Sequence, residues 1–349
     1  MLKKEDKKMN NYIPNIDDEN FLIEYGTLRE YRGSAEEVTV PDGVRTISRL
    51  AFAGNKNLRR VTLPAGLKYV LTRAFACCPE LKEVIFTDGV SDLGSQAFMG
   101  CTSLERVELG SRTARIDDRC FLMCTSLKSI VLQGRLSQIP EECFAECGSL
   151  ESVYLDEKIK EIEDKAFYMC NSLQGPILPK ELEKLGAYSF FGCHSLTEVT
   201  IPDGVKTVSL FAFADCPSLA EVFIPDGVKK IEERAFSYND ALTNVVFGGT
   251  VPDHIDESAF KACPDLALIY DENIPGNAEK VAKLTDFYNF MYDFGKSLEE
   301  YIANGAPASE NDSLITDSAG EEDGFGYESD SFWEDALFFE DAPFDSIDY

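Results

Sequence analysis

Phenylalanine recurs every 23 residues, at 52, 75, 98, 121, 144, 167, 190, 213 and 236, and once more at 260 after one inserted residue. A fixed period of this length marks a chain that builds one small unit again and again. Each copy keeps the same companions. The sixth residue after the Phe is always Leu, from Leu58 to Leu266. The fifth before it is aliphatic, as at Ile47, Val70, Leu93, Ile231 and Ile255, and the residue just before it is small, as at Ala51, Cys120, Cys143 and Ser189. Twenty-three residues cannot enclose a core alone. The apolar positions must be covered by the next copy, which makes the chain one elongated repeat solenoid.

Nine and eleven residues after the Phe stand pairs such as Val61/Leu63, Val107/Leu109, Val199/Ile201 and Val222/Ile224. That alternation is the signature of a strand with one face buried. Pro64, Pro179, Pro202 and Pro225 follow, with Asp-Gly at 42–43, 203–204 and 226–227, residues that end a strand and turn the chain. Each coil is therefore expected to add one strand to a parallel β-sheet. Ten coils at about 4.8 Å each give a body roughly 50 Å long, with columns of Phe and Leu inside.

The pattern Leu-x-x-Val-x-Ile-Pro-x-x-Val-x-x-Ile-x-x-x-Ala-Phe-x-x-Cys, matched almost position for position by residues 198–219, resembles the BspA-like, or Treponema-type, leucine-rich repeat family. The resemblance covers about residues 38–271. It implies ten leucine-rich repeat coils and a non-catalytic binding protein; many members act on bacterial or protist surfaces, where they contact host proteins or other cells. Phe21 to Tyr31 looks like the hairpin that often precedes such repeats. The chain then divides into a flexible N-terminus (1–20), a capping hairpin (21–37), the solenoid (38–272), a C-terminal helix (276–303) and a disordered acidic tail (304–349).

Eight of the eleven cysteines (Cys78, Cys101, Cys124, Cys147, Cys170, Cys193, Cys216, Cys263) stand three residues after the repeat Phe, a position held by Asn55 and Asn239 in two coils. A column that accepts Cys or Asn needs a small side chain able to bond loop backbone, which predicts structural thiols rather than a metal ladder or disulfides. Free thiols in this number suit a reducing compartment. Neither His194 nor His254 holds a template position. No Gly-rich phosphate loop or zinc spacing appears, so neither cofactor nor enzymatic activity is expected.

The formal charge of −29 opposes nucleic acid as a partner, because phosphate binding relies on Lys and Arg. No apolar run approaches the length of a membrane span, and no apolar segment follows the basic start, so a cytoplasmic protein is expected. Fourteen Asp and Glu, with no Lys or Arg, fall between Asn304 and Tyr349. Such a segment reads as solvated tail.

Residues that the template leaves free must carry function. Between the two buried strand positions stand Ile85, Val131, Tyr154, Ile177, Phe223, Val246 and Tyr270, apolar side chains on the outward face. They express either plain β-propensity or an apolar strip for a ligand. Arg45, Lys68, Lys160, Lys206 and Lys229, with Arg115, Lys184 and Lys230 one residue later in their coils, form a basic stripe that is either a solvated face or a contact surface. Val281, Leu284, Tyr288, Met291, Leu298 and Ile302 mark an amphipathic helix that caps the last coil or pairs with another chain. In the tail, Ser331 and Glu334 have capping-box spacing ahead of an aromatic stretch in which Phe332, Trp333, Leu337 and Phe338 would form a binding motif, the alternative being plain spacer. Tethering would let residues 325–345 dock within the same molecule around Tyr154, Ile177 and Phe223 and compete with an outside partner. The leading expectation is an intracellular protein-interaction scaffold whose partner is a protein of unknown identity. The alternative is a surface adhesin exported without a recognisable signal peptide.

Overall fold

The computed structural model describes residues 15–86, 90–175 and 178–288. The chain is a β-solenoid whose coils each contribute two strands where the alternation suggests one. The longer strands lie in coil order. Glu37–Thr39, Arg60–Leu63, Glu83–Phe86, Arg106–Val107, Ser129–Leu132 and Ser152–Leu155 form a six-stranded sheet, and Glu198–Thr200, Glu221–Ile224, Asn244–Phe247 and Ala267–Ile269 a four-stranded one. Pairing is parallel and steps by one repeat, setting Val61 beside Val84 and Val222 beside Val245. Residues 176–177, which fall between the two sheets in sequence, lie outside the described residues.

A second set of ladders runs along the other side of the coils through two-residue strands such as Thr46–Ile47, Tyr69–Val70, Asp92–Leu93 and Arg115–Ile116. These hold the aliphatic position five before the Phe. Two residues cannot display a period, so alternation does not reveal them. Where Pro closes a long strand, the N–H three residues on returns to its carbonyl, as from Val205 to Pro202 (3.1 Å) and from Val228 to Pro225 (3.2 Å). That contact makes the expected turn.

The ten Phe side chains are at most 2% exposed and lie in one column. Successive rings stand 4.7–5.5 Å apart and within 14° of parallel. Burying each ring is worth roughly 1.5–3 kcal/mol, and an offset stack adds about 0.5–1.5 kcal/mol. Beside the rings runs a backbone ladder in which each Phe N–H donates to the carbonyl of the small residue in the next coil, Phe52 to Ala74 and Phe213 to Ala235 at 2.8 Å. The chain bends sharply on both sides of the Phe. Non-glycine residues two before it take positive φ, from Leu50 (61°) to Arg234 (50°); two after it stand Gly54, Gly100 and Gly192 or side-chain-bearing residues such as Met123 (60°) and Ala262 (58°).

Both ends of the column are closed by tyrosine. β1 (Ile16–Asp17), β2 (Phe21–Glu24) and β3 (Thr27–Tyr31) form an antiparallel meander, and β3 joins the short-strand ladder through Leu28 and Ile47. Residues 16 and 17, assigned by sequence to the flexible segment, thus pair with β2. Tyr31 extends the column, its ring 5.0 Å from Phe52 and its N–H donating to the Ala51 carbonyl (2.8 Å). At the far end no further coil can accept the Phe260 N–H. Helix α1, described over 277–288, supplies the Tyr288 hydroxyl instead, at 3.1 Å. Buried Asn277 accepts from the Val251 N–H (2.9 Å) and donates to the Gly249 carbonyl (3.1 Å), while Val281 and Leu284 are buried. The described turns of the helix therefore act as a cap; 289–303 lies outside the described residues.

Two substitutions follow. Tyr288→Phe keeps the ring and orphans the Phe260 N–H, so it should cost about 1–3 kcal/mol in a denaturant titration. Ser189 stands at a position held by Ala in most coils, and its Oγ is buried without a hydrogen-bond partner among the described residues. Ser189→Ala should raise stability by about 1 kcal/mol; a loss would contradict the unsatisfied hydroxyl.

Candidate binding surface

The long-strand sheets bury one side chain and expose the next. In Ser152–Leu155 the pattern is exposed, buried, exposed, buried, and Glu221–Ile224 repeats it. The outward row carries Ile85, Val131, Tyr154 and Phe223, exposed by 36%, 45%, 56% and 36%, with Val246 half-buried among them. Parallel register sets Val131 beside Tyr154 and Phe223 beside Val246 on adjacent strands. Glu108 interrupts the row and pairs with Arg106 two residues before it.

Tyr270 is not in this row. The last strand pairs Leu268 with Val245 and Ile269 with Val246, which turns Tyr270 inward, partly buried against the core, and makes Ile269 (45% exposed) the outward residue. The cause is a one-residue shortening between Leu266 and Leu268, and a one-residue slip moves every side chain to the opposite face. The apolar alternation of Leu268 and Tyr270 was the available signal. Ile177 and the tail residues Phe332, Trp333, Leu337 and Phe338 lie outside the described residues.

Much of the basic stripe is answered locally. Lys160 and Lys184 reach Glu183 and Glu161 at 2.6 and 3.9 Å, Arg115 reaches Asp117 at 2.5 Å, and Lys230 reaches Glu232 at 2.8 Å. Lys206 and Lys229 bond to the Asp203 and Asp226 carbonyls. Exposed pairs of this kind contribute little to stability, and they leave less charge for a partner.

The cysteine column bonds backbone between coils. Cys78, Cys101, Cys124, Cys147, Cys170, Cys193, Cys216 and Cys263 each donate S–H to the carbonyl of the column Phe one coil back, at 3.0–3.4 Å. Asn239 reaches the Phe213 carbonyl through Nδ2 at 3.0 Å, and Asn55 the Gly33 carbonyl at 3.3 Å. The exchange of Cys for Asn at position 239 therefore has one physical meaning: either donor satisfies the carbonyl of the preceding column Phe. All eleven cysteines are free thiols, and no group of three or more His, Cys, Asp or Glu among the described residues is placed to share a metal ion. Burial pushes the Cys147 and Cys216 thiols up to about 12 and the Cys263 thiol to about 11.

His194 faces Asp215 at 3.5 Å on an exposed corner, with Cys193 buried in the column. His254 lines an open cleft with Leu210, Lys230, Glu232, Asp253 and Asp256. Its carboxylates are engaged: Asp253 with Lys280 (2.7 Å), Glu232 with Lys230 and the Leu210 N–H (3.1 Å), and Asp256 with the Ser258 N–H (2.9 Å).

One cluster escaped the sequence reading. Tyr168, Tyr188, Phe191 and Phe211 occupy positions just after or two before the column Phe and assemble a second, outer aromatic group. Tyr168 stacks on Phe191 (5.3 Å) and Tyr188 on Phe211 (4.9 Å), with Arg234 over Phe211 at 5.5 Å. Phe190-Phe191 and Phe211 were legible as excess aromatics, but only the coil corners bring them together.

The model of the BspA type leucine-rich repeat region matches residues 29–150 and 160–285, in six copies. The chain belongs to this family. No curated protein matches it in sequence. Among solved structures, a leucine-rich cell surface protein from Faecalibacterium prausnitzii is similar at 22% identity and a TM-score of 0.50, covering 71% of this chain and 86% of its own. A leucine-rich repeat protein from Bacteroides ovatus is similar at 21% identity and the same TM-score, covering 73% and 77%. These likenesses concern the fold. Within the BspA-type solenoid described here, no helix is long and apolar enough to cross a membrane.

The thiol column predicts a specific alkaline sensitivity. A thiol whose folded pKa is raised stabilises fully below its unfolded value near 8.5, and that stability is lost as pH rises from there toward the folded value. Each such thiol then removes roughly 1.4 kcal/mol per pH unit, and several act together. The melting temperature should fall steeply between pH 8.5 and 10 under reducing conditions. A flat profile would show that the thiols are not held buried and neutral.

Proposed function

We propose that this chain is a non-enzymatic protein-interaction scaffold whose binding face is the outward side of the long-strand sheet. The observation that carries this reading is the row Ile85, Val131, Tyr154, Phe223 and Ile269 on the outward face of the long strands, whose members are each exposed by 36–56% while the alternate residues Val84, Ile130, Val153 and Val222 are buried. Side chains of this size left open along a sheet favour contact with another surface, and aromatic residues such as Tyr154 and Phe223 are the type that dominates interface energetics. The same face would serve on a cell surface, where the Faecalibacterium protein is placed by its name.

Photo-cross-linkers at Tyr154 and Phe223 in the native host should capture one shared partner, and a cross-linker at Tyr69 on the short-strand ladder should not. Tyr154→Glu and Phe223→Glu would each bury an unpaired carboxylate at the contact and weaken the isolated complex at least thirtyfold, or about 2 kcal/mol, without moving the melting temperature appreciably. A partner captured equally from Tyr69, or one indifferent to both substitutions, would assign binding elsewhere.

A further inference from the structure

The long-strand face is electrostatically divided. Over its first six strands both signs occur and answer each other: Arg60 lies 2.8 Å from Glu83, Arg59 lies 3.1 Å from Glu36, and Arg106 pairs with Glu108. The four strands from Glu198 to Ile269 behave differently. Residues 196–203, 219–226, 242–249 and 266–271 contain Glu198, Asp203, Glu221, Asp226 and Asp271, and neither Lys nor Arg. Glu198 and Glu221 are register partners on adjacent strands, about 4.8 Å apart, an arrangement that costs stability where like charges meet. Among the described residues no cation lies within ion-pair distance of either. Asp226, by contrast, is held by the Thr250 N–H at 2.9 Å.

Two residues along the same strands, roughly 6.6 Å away, runs the row Thr200, Phe223, Val246 and Ile269. The Phe223 ring lies over Gly248 of the next coil, where an added Cβ would come within 2.4 Å of the ring. Glycine there lets the ring lie flat along the solenoid. The result is an apolar strip across three strands, Phe223, Val246 and Ile269, about 10 Å long and edged on one side by two carboxylates without a counter-ion among the described residues.

We infer that this part of the face takes a basic amphipathic helix of a partner protein, with its apolar stripe along Phe223, Val246 and Ile269 and a Lys or Arg on its flank over Glu198 and Glu221. An extended strand fits less well, because its successive side chains point to opposite sides and would offer the sheet either the apolar or the basic set. A helix shows a stripe and its flank together, and about seven residues, two turns, span 10 Å. This inference rests on the protein-binding reading above and adds the partner's chemistry.

The probe is a labelled fourteen-residue peptide with Leu at helix-face spacing and Lys and Arg along one flank, titrated by fluorescence anisotropy against the full-length protein. A second peptide carries Glu in place of the Lys and Arg. Saturable binding of the basic peptide is expected, at least tenfold tighter than that of the acidic one. The double variant E198Q/E221Q should lose at least tenfold and flatten the salt dependence. Phe223→Ser and Gly248→Ala should also weaken binding, with unchanged circular dichroism melts, whereas E83Q on the first six strands should not. Equal binding to E198Q/E221Q would overturn the assignment, since attraction to the acidic chain at large survives that change. Equal binding of the acidic peptide would overturn it as well. If the basic peptide fails to bind while Tyr154 and Phe223 still cross-link one partner, the partner's chemistry is wrong and the binding face stands. If both fail, the face itself is wrong.

Discussion

Each phenylalanine of the column finds the same side chain one repeat away on either side, and nearly everything else in this solenoid depends on that registration. A coil of 23 residues has no interior of its own; it acquires one when Phe75 is pressed between Phe52 and Phe98 with its N–H donated to Ala97. The same step aligns Val61 with Val84 on the long strands and Ile47 with Val70 on the short ones. It also brings each column thiol to the carbonyl of the preceding Phe, which at Phe52 and Phe98 accepts as well from the N–H groups of Asn55 (3.2 Å) and Cys101 (3.1 Å) in its own loop. The arrangement tolerates local error. One residue is gained between Val251 and Ile255 and one lost between Leu266 and Leu268, yet Phe260 still stacks at 5.4 Å on Phe236.

A stack of this kind must be finished at both ends, because its terminal members lack the neighbour that the others share. Both solutions here use tyrosine, in different ways. Tyr31 joins the column as an extra ring and continues the N–H ladder, carried there by an antiparallel meander that needs no coil before it. Tyr288 offers its hydroxyl to the last Phe N–H from a helix, an element that satisfies its own backbone and so can end a ladder without creating a new edge. Asn277 does for the turn at Val251 what a further coil would have done.

With the interior so determined, specificity is confined to positions that the registration ignores. The outward strand row, the corners bearing Tyr188 and Phe211, and the charges beside them differ from coil to coil while the Phe and Leu columns do not. The two halves of the long-strand face consequently have different chemistry on the same backbone, mixed and self-neutralised around Arg60 and Glu83, acidic beside an apolar strip around Glu221 and Phe223.

The sequence alone determined the repeat, the buried columns, the long strands and the turns after Pro202 and Pro225, because each is a local pattern multiplied tenfold. It also announced the Cys and Asn equivalence through Asn239, since both residue types can donate to one carbonyl. Tertiary structure decided what depends on alignment between coils. The two-residue ladders through Ile47 and Val70 carry too short a pattern to be read. Tyr270 and Ile269 exchanged faces because register is set by the neighbouring strand and not by distance from Phe260. Whether Lys160 is a free cation or half of a pair with Glu183 was settled by side chains a full repeat apart. Glu198 and Glu221, unexceptional as residues, became neighbours without a counter-ion among the described residues only when the coils closed on each other, since charge in a solenoid is balanced across the stack rather than along the chain.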